Sequence, residues 1–317
     1  MYKLPGSFQF AYADSNTGSV RTQKLQVFER QLDDKSDPVA LINTLRSLLP
    51  SVSGRSDRTY FMYNDQPDNA RPSASYGHAK GVVGLDGTGD AAFWLLHSTP
   101  HFPSPSGSGK FYFPESEIKY GQTFLCMTLR DGIVDDVAAQ LRYVAPYVYF
   151  DNVPASVKKV NANIDAVLSH NFTTEDTSHA RSLKIGTHTF KSFSKSKKWN
   201  DDLYEGLVAP GLKSNLLVES WMRGSELGPY CTPKYDYDVV DVTDLEAWDA
   251  DGTSKITWTE GGDHSKWAIE TDGTSQVCVG DINRMDTQRD RGGGAVCFTH
   301  SGLWHMLNNS VVGQDTC

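Results

Sequence analysis

The chain has 317 residues, of which 38% are hydrophobic and 22% charged, with a formal net charge of −9. This length supports one large or two ordinary domains with a sizeable core. No run approaches the roughly 18 apolar residues of a membrane-spanning helix, so we expect no membrane contact. The acidic balance excludes a broadly basic surface at neutral pH, although nine histidines and some carboxylates take up protons at acid pH.

The first predicted elements are read from periodicity and turn residues. Alternating apolar residues predict a half-buried strand over 8–12. Asp37-Pro38 predicts a helix start, with Val39, Ile42, Leu45 and Leu49 at helical spacing until Pro50. Further strands are predicted at 59–63, at 81–85 before the Asp86-Gly87 turn, and at 91–96, ahead of a loop over 103–109.

The second part of the chain repeats this alternation. A helix is predicted after Pro154, with one apolar face formed by Val157, Val160, Ile164 and Val167. Strands are predicted at 216–218, 256–258, 267–269 and 277–279. Strands interleaved with helices indicate an α/β architecture. We place the boundary between two halves, 1–155 and 156–317, in the region between Asn152 and Thr187.

Two distant segments carry His, Lys, Asp, Gly and Thr at identical offsets. They are His78-Ala-Lys80-Gly-Val-Val-Gly-Leu-Asp86-Gly-Thr and His264-Ser-Lys266-Trp-Ala-Ile-Glu-Thr-Asp272-Gly-Thr. In a strand, residues two apart share a face, so each segment offers one imidazole and one ammonium together. A single His-x-Lys is common by chance, whereas the extended repeat indicates a duplicated half-site. The two aspartates either orient a histidine or end a strand, and we prefer the structural role.

Two of each group suffice for double displacement at a phosphodiester. One histidine attacks phosphorus, the other protonates the leaving oxygen, and both lysines hold phosphoryl oxygens. Nineteen residues beyond each motif histidine lie His97 and Asn283, each near the end of an apolar run. That parallel predicts a second pair of strands that delivers polar groups to the same cleft.

A basic and aromatic segment is a further candidate site. It contains Lys191, Lys195, Lys197 and Lys198 among Phe190, Phe193 and Trp199. This composition fits either a groove for nucleic acid or a solvated loop over packed rings. Arg284, Arg289 and Arg291 are other candidates for phosphate contact, and the glycines at 292–294 indicate a tight backbone bend. Without Cys-x-x-Cys or a His-x-x-x-His pair around a Glu, we expect no metal and no cofactor.

The chain resembles the deoxyribonuclease II family along nearly its whole length. The resemblance rests on matching segments at 2–5, 63–67, 77–82, 93–100, 120–123, 193–195, 201–204, 263–267 and 278–284, and on Gln288, 291–294 and Cys297. It implies a phospholipase D-like fold, in which two similar α/β/α sandwich halves form a pseudo-twofold dimer within one chain. It also implies an acid endonuclease that hydrolyses DNA without a divalent metal and leaves 3′-phosphate and 5′-hydroxyl ends.

The repeated motif and the resemblance together predict roles for individual residues. His78, Lys80, His264 and Lys266 would be catalytic, with His78 as nucleophile by analogy with phospholipase D and His264 as acid. His97, Asn283, Arg284 and Lys195 would contact substrate. A phosphohistidine intermediate is expected, and a homodimer is a further expectation.

Cysteines and sequons fit a secretory route. By resemblance, Cys278 pairs with Cys297 and Cys231 with Cys317, and the family partner of Cys126 precedes the segment at which this chain begins. Free buried thiols are the alternative. Asn171 and Asn308 begin glycosylation sequons. We expect a lysosomal or secreted protein whose signal peptide is absent from this chain.

Two other functions remain open at this stage. The first is a phosphodiesterase of the same fold that acts on phospholipid. The second is a catalytically inactive secreted DNA-binding protein, against which the two intact His-x-Lys motifs argue.

Overall fold

The computed structural model describes residues 1–28, 31–32, 40–46, 48, 58–67, 73–85, 91–102, 113–130, 132–231 and 234–317. Its first sheet has seven strands in the order β2-β1-β6-β5-β4-β3-β7. These are β1 Tyr2–Lys3, β2 Phe10–Ala11, β3 Thr59–Asn64, β4 Lys80–Leu85, β5 Ala92–His97, β6 Gln122–Leu129 and β7 Val148–Asn152.

The second sheet has nine strands in the order β12-β11-β10-β13-β14-β15-β9-β8, with β16 paired to β11. These are β8 Ser178–Ile185, β9 His188–Lys195, β10 Leu216–Ser220, β11 Val239–Trp248, β12 Lys255–Thr259, β13 Lys266–Glu270, β14 Gln276–Gly280, β15 Gly293–Thr299 and β16 Val311–Gln314.

Helices and loops cover both sheets, which makes the protein a mixed α/β structure. The α-helices are α1 Ala40–Arg46, α2 Ile133–Val144, α3 Ala155–Val160, α4 Ala162–Leu168, α5 Ala209–Leu212 and α6 Ser301–Asn308. A π-helical turn, Tyr204–Val208, leads into α5. Within the part of the chain just described, no helix is long and apolar enough to cross a membrane.

The sequence repeat is also a structural repeat. Strands β3-β4-β5-β6 in one sheet and β10-β13-β14-β15 in the other run in the same order, with every neighbouring pair antiparallel. Each motif lysine is the first residue of its strand and lies opposite the last residue of the preceding strand, Lys80 opposite Asn64 and Lys266 opposite Ser220. A helix follows each unit, α2 after β6 and α6 after β15.

Packing joins the two halves more closely than the order of strands suggests. Val296 of β15 and Leu183 of β8 belong to the hydrophobic cluster around α2, and Tyr2 and Leu4 belong to the cluster around Trp267. The strands of the two sheets separate along the chain between Asn152 and Ser178. The division into domains 1–155 and 156–317 stays a prediction, since the cores are shared.

Most strand predictions are confirmed, and two element predictions are wrong. The predicted helix after Pro154 is two short helices, because the backbone leaves helical geometry at Asn161 (φ −123°, ψ 82°). Val160 is consequently 78% exposed instead of facing the core. The strand predicted over 8–12 is confined to Phe10–Ala11. The helix start at Asp37-Pro38, the turn at Asp86-Gly87 and the loop over 103–109 lie outside the described residues.

Both predicted disulfides are confirmed. Cys278 and Cys297 are direct neighbours on β14 and β15, and Cys231 is bonded to Cys317. Among the described residues, Cys126 on β6 is a free, exposed thiol.

Glu219 of β10 is a buried acid within the second sheet. Its side chain is fully buried, and neither carboxyl oxygen has a hydrogen-bond partner among the residues with described positions. Burial, followed by the charges of Asp263 and Glu260, raises the pKa of Glu219 well above its usual value of 4.5. The folded protein therefore keeps this proton where the unfolded chain has lost it.

We predict that Glu219→Gln changes how stability depends on pH. Because the folded-state pKa is raised, the contribution of Glu219 is fully present below pH 4.5 and is lost as the pH rises towards the folded pKa. Within that window, the free energy of unfolding of Glu219→Gln relative to the parent should rise by up to ~1.4 kcal/mol per pH unit. Urea unfolding at pH 5, 6 and 7 measures this difference.

Glu246→Gln provides a control of opposite sign. Glu246 accepts a hydrogen bond from Lys24 and is ion-paired with Lys255 at 3.0 Å, and the Lys24 bond lowers its pKa. Its contribution is present above the unfolded pKa of 4.5 and is lost as the pH falls through the folded pKa, so Glu246→Gln should be less stable than the parent by a nearly constant amount from pH 5 to 7. A Glu219→Gln difference that is constant with pH would contradict a neutral buried Glu219.

Candidate active site

The two His-x-Lys motifs are joined across the halves by a reciprocal pair of backbone hydrogen bonds. The N–H of His78 donates to the carbonyl of Gly292 at 2.8 Å, and the N–H of His264 donates to the carbonyl of Gly121 at 2.9 Å. Each motif histidine is thus fixed by the half that does not contain it.

The two glycines hold equivalent positions in the repeat. Gly81 pairs with Leu96 and His97 with Phe124, while Trp267 pairs with Val279 and Gly280 with Ala295. Aligning Lys80 with Lys266 and following these pairs makes Phe124 equivalent to Ala295. Three residues earlier lie Gly121 and Gly292, directly before β6 and β15.

Both positions exclude a side chain. A Cβ at Gly121 would lie 2.3 Å from a carboxyl oxygen of Asp263, and one at Gly292 would lie 2.1 Å from the carbonyl oxygen of Val144. The backbones of the two halves therefore approach closely because these residues are glycine.

A buried lysine anchors the loop before each glycine. The Lys3 ammonium donates to the carbonyls of Leu4, Ile118 and Tyr120 at 2.9, 2.7 and 2.5 Å. The Lys195 ammonium donates to those of Gln288, Arg289 and Arg291 at 3.2, 2.7 and 2.6 Å. Lys3 lies opposite Gln122 and Lys195 opposite Gly293, so the two lysines are also equivalent.

Lys195 is therefore not placed as a substrate contact. Its side chain is 1% exposed, and its donors are directed to backbone carbonyls that shape the loop leading to Gly292. Burial lowers its pKa to about 8. In the same basic segment Lys191 donates to the carbonyl of Gly211, while Lys197 and Lys198 are not buried.

Arg284, like Lys195, is not positioned to contact phosphate. Its side chain is fully buried and forms ion pairs with Asp241, Glu205 and Asp202. These carboxylates neutralise the buried guanidinium. In a solvent-facing phosphate site the guanidinium would instead be free to bind phosphate. Arg289 is paired with Asp201 at 2.8 Å, so it too has a structural partner.

Around His78 the contacts are hydrogen bonds and ion pairs. The ring Nδ1 lies 2.5 Å from the carbonyl oxygen of Asp281, so Nδ1 carries a proton and the lone pair is left on Nε2. Lys80 Nζ is 2.5 Å from Asp65 Oδ1, and Arg291 binds the other oxygen of Asp65 at 3.0 Å. Asp65 thus links the first motif to the other half.

Around His264 the contacts are aromatic. The imidazole is stacked on Tyr120 with ring centroids 3.9 Å apart and planes 10° apart, and Trp221 meets it edge-on at 4.5 Å. Within the described parts of the chain, Nε2 of His264 has no hydrogen-bond partner. Lys266 Nζ donates to the carbonyl of His264 at 2.6 Å, and no carboxylate among the described residues forms an ion pair with it.

The loop that carries His264 is held by Asp263. Its carboxylate accepts hydrogen bonds from the Tyr2 hydroxyl, from the Trp258 Nε1–H at 2.6 Å and from the Ser265 backbone N–H at 2.8 Å. The hydroxyl comes from β1 of the first sheet, so Asp263 also connects the two halves.

Sequence reasoning did not single out three residues that shape this site. They are Asp65, Tyr120 and Asp263, and no spacing rule links them to the two His-x-Lys motifs. Each lies in a segment that matches the deoxyribonuclease II family, at 63–67, 120–123 and 263–267. Those matches were the available signal, but they do not show which side chain meets which motif.

The site concentrates positive charge. Burial, then the Lys266 and Lys80 charges, lowers the pKa of His264 to about 2, and burial with Lys80 lowers the pKa of Lys266 to about 7. Burial and Lys80 also hold the pKa of His78 well below its usual value. An anion bound between these groups would relieve their mutual repulsion.

His97 and Asn283 are buried polar residues that are not equivalent. Neither ring nitrogen of His97 nor Oδ1 of Asn283 has a hydrogen-bonded side-chain partner in the described ranges, and His97 is stacked on Phe102 at 4.1 Å. By strand register the equivalent of His97 is Gly280. The equal offset from the motif histidines therefore does not reflect equal positions.

Asp272 has a structural role at the far end of β13. Its Oδ2 accepts hydrogen bonds from Ser214 Oγ at 2.9 Å and from the N–H of Asn215 at 3.0 Å. Asp86 lies outside the described residues. Over the described ranges, no three His, Cys, Asp or Glu residues are grouped as a metal site.

We predict that the site binds sulfate with an affinity that depends on Lys266. Because the pKa of Lys266 is about 7, its ammonium is charged below pH 7 and neutral above it. Sulfate affinity should therefore be greatest below pH 7 and fall up to ~10-fold per pH unit above it. Calorimetric titration from pH 6 to 9 measures this dependence.

Lys266→Gln should bind sulfate weakly and with little dependence on pH in this range. Lys197→Gln, at an exposed lysine, should behave as the parent does. Equal sulfate affinity of the parent at pH 6 and pH 9 would contradict the assignment.

Comparison with known proteins shows the family of this chain. The family model described as Deoxyribonuclease II matches residues 1–317. Deoxyribonuclease-2 of Caenorhabditis elegans is 37% identical over 338 residues, covering 99% of this chain and 86% of that protein. Deoxyribonuclease-2-alpha of Mus musculus is 33% identical over 333 residues, covering 100% and 89%. Plancitoxin-1 of Acanthaster planci is 34% identical over 305 residues, covering 94% and 81%. The chain belongs to the deoxyribonuclease II family.

Proposed function

We propose that the protein is an acid endonuclease that hydrolyses DNA without a divalent metal and leaves 3′-phosphate and 5′-hydroxyl ends. The observation that carries this proposal is the reciprocal pair of hydrogen bonds from His78 to Gly292 and from His264 to Gly121. The charges of Lys80 and His78 act on His264, and that of Lys80 acts on Lys266, which supports one site between the halves for the two imidazoles and two ammoniums. Family membership supports DNA as the substrate.

In the first step His78 is the nucleophile. Its Nδ1–H is directed to the Asp281 carbonyl, which leaves the Nε2 lone pair to attack phosphorus. The P–N bond forms as the bond from phosphorus to the 5′ oxygen breaks, and the leaving oxygen takes a proton from His264. Lys80 and Lys266 stabilise the charge that develops on the phosphoryl oxygens.

In the second step water replaces the histidine. The oxygen of the water attacks phosphorus while neutral His264 accepts a proton from that water, and the P–N bond breaks. The products are a 3′-phosphate, free His78 and a protonated His264. The enzyme therefore returns to its starting protonation state without an added cofactor.

Acid pH suits this assignment of roles. The pKa of His78 is held low by burial and by Lys80, so His78 keeps its lone pair in acid. His264 must gain a proton, which both low pH and a bound phosphodiester anion favour. Protonation of other histidines and carboxylates also lowers the repulsion between DNA and a chain of net charge −9.

Further properties belong to the same proposal. The repeated strand order supports a phospholipase D-like fold with two α/β/α halves about a pseudo-twofold axis. His97 and Asn283 are proposed substrate contacts, because each has a buried polar side-chain atom without a partner among the described residues. We further propose a lysosomal or secreted protein, glycosylated at Asn171 and Asn308, for which the two disulfides are the supporting observation. A homodimer, testable by light scattering, remains a proposal.

We predict that supercoiled plasmid is nicked at pH 5 in the presence of EDTA and much more slowly at pH 8. His78→Ala removes the nucleophile and His264→Ala the acid, so each should lower the rate by at least ~10²–10⁴-fold. His188→Ala, at an exposed histidine on β9, should match the parent. Loss of parent activity with EDTA would contradict metal independence.

The same assay separates the other functions. Hydrolysis of phosphatidylcholine beside intact plasmid would favour the lipid phosphodiesterase. DNA binding that survives replacement of both histidines, with no cleavage by the parent at any pH, would favour the inactive binding protein.

We also predict a covalent intermediate on His78. An oligonucleotide labelled at the scissile phosphate, quenched rapidly in alkali because phosphohistidine is labile in acid, should leave the label on His78 and none on the His78→Ala variant. Label on His264 would reverse the two roles. End analysis of the products should show 3′-phosphate and 5′-hydroxyl groups.

A further inference from the structure

The repeat places two different residues at equivalent positions beside the two motifs. Gly292 and Gly121 are equivalent, so the residues before them, Arg291 and Tyr120, are equivalent too. Each follows a loop that a buried lysine anchors, and each faces the motif of the other half. Because the backbones match, the two side chains show where the two half-sites differ.

Arg291 acts on the first motif through charge. Its guanidinium binds Asp65 at 3.0 Å and the carbonyls of Ser73 and Tyr76 at 3.3 and 3.0 Å. Asp65 in turn holds Lys80 at 2.5 Å. At the first motif Arg291 therefore fixes Lys80 through Asp65. The ring of His78 is fixed separately, by its hydrogen bond to the carbonyl of Asp281.

Tyr120 acts on the second motif through its ring. It lies face to face with His264 at 3.9 Å, and its carbonyl is held by Lys3. Trp221 closes one side of the imidazole and is itself anchored by a hydrogen bond from Nε1 to the Gly261 carbonyl at 3.2 Å. Aromatic contact thus orients a histidine whose Nε2 has no hydrogen-bond partner among the described residues.

Burial, and then the cations around His264, oppose its protonation. Lys266 acts from its own strand, Lys80 and His78 from the first motif, and Lys3 from β1. Lys119 lies 5.0 Å from the Tyr120 ring centre, and Asp263 directly precedes His264 in the chain. The face of an aromatic ring carries partial negative charge and attracts a cation placed over it. The stacked ring therefore favours an imidazolium at a position that the neighbouring cations disfavour.

We propose that Tyr120 is a positioning residue that holds the His264 ring in plane and supports its protonated form, so that His264 acts as the acid. This rests on the proposed function, in which the leaving oxygen takes its proton from His264. The tyrosine contributes its ring face; its hydroxyl has no part in this role. Tyr120 acts through His264 and does not transfer a proton itself.

The test uses a leaving group that needs no proton. Cleavage rates are measured on an oligonucleotide with the natural 5′-bridging oxygen and on one with sulfur at that position, since a thiolate leaves without protonation. Tyr120→Leu should lower kcat on the oxygen substrate roughly tenfold with KM nearly unchanged. On the sulfur substrate its rate of strand release in the first turnover should be within about twofold of the parent rate.

Ring-retaining variants keep the test decisive if Tyr120→Leu folds poorly. Tyr120→Phe and Tyr120→Trp preserve an aromatic face and should keep kcat close to that of the parent. Tyr143→Leu is the matched control, because Tyr143 stacks on a histidine outside both motifs, His179, with ring centroids 5.1 Å and planes 6° apart. This control should cleave both substrates as the parent does.

The outcomes separate this inference from the proposed function. In the first turnover, measured as release of the strand that leaves, His264→Ala should be rescued by the sulfur substrate and His78→Ala should not; failure of that pattern would refute the roles assigned to the histidines. If the pattern holds, an equal loss for Tyr120→Leu on both substrates, or no loss on either, would refute the role of Tyr120 alone. A large loss for Tyr120→Phe would overturn it as well, since only the hydroxyl is removed.

Discussion

The site depends on two glycine carbonyls, each of which binds the backbone N–H of a catalytic candidate in the opposite half. Since Gly121 and Gly292 make these bonds reciprocally, the backbone of each motif histidine is held by the opposite half. The anchoring lysines, Lys3 and Lys195, and the Asp263 carboxylate stabilise the segments that carry these bonds. These buried hydrogen bonds therefore serve one purpose, which is to hold the two halves in a fixed position relative to each other.

The relative position of the two halves also determines the electrostatics of the site. Bringing the motifs together places Lys80 and Lys266 close enough to affect each other. Asp65 forms direct ion pairs with Lys80 and Arg291, whereas no carboxylate among the described residues forms an ion pair with Lys266. Burial, followed by the charge of Lys80, lowers the pKa of Lys266 to about 7. The phosphodiester that we propose binds here would offset the cost of holding uncompensated cations in a buried site, because the anion supplies the missing charge.

The sequence predicts the parts of this structure that local patterns determine. Apolar periodicity located the strands that carry the motifs, and identical offsets of His, Lys and Asp revealed the duplication that the sheets share. Resemblance to the family supplied both disulfide pairings. Burial was less predictable. Arg284 and Lys195 were predicted to contact phosphate, because a sequence shows that a residue is charged but not what it binds. In the structure both side chains are buried and bound to oxygen acceptors of the protein.

Equivalence across the repeat was equally hidden from the sequence. His97 and Asn283 share an offset from their histidines but not a place in the sheet, because the first hairpin is longer than the second. Tyr120 and Arg291 share a place in the sheet but not a residue type. In the proposed double displacement one histidine is the nucleophile and the other the acid, and two identical motifs leave open which is which. The repeat therefore locates the site, and the positions at which the halves differ, Tyr120 and Arg291, are where we propose that the two roles are set.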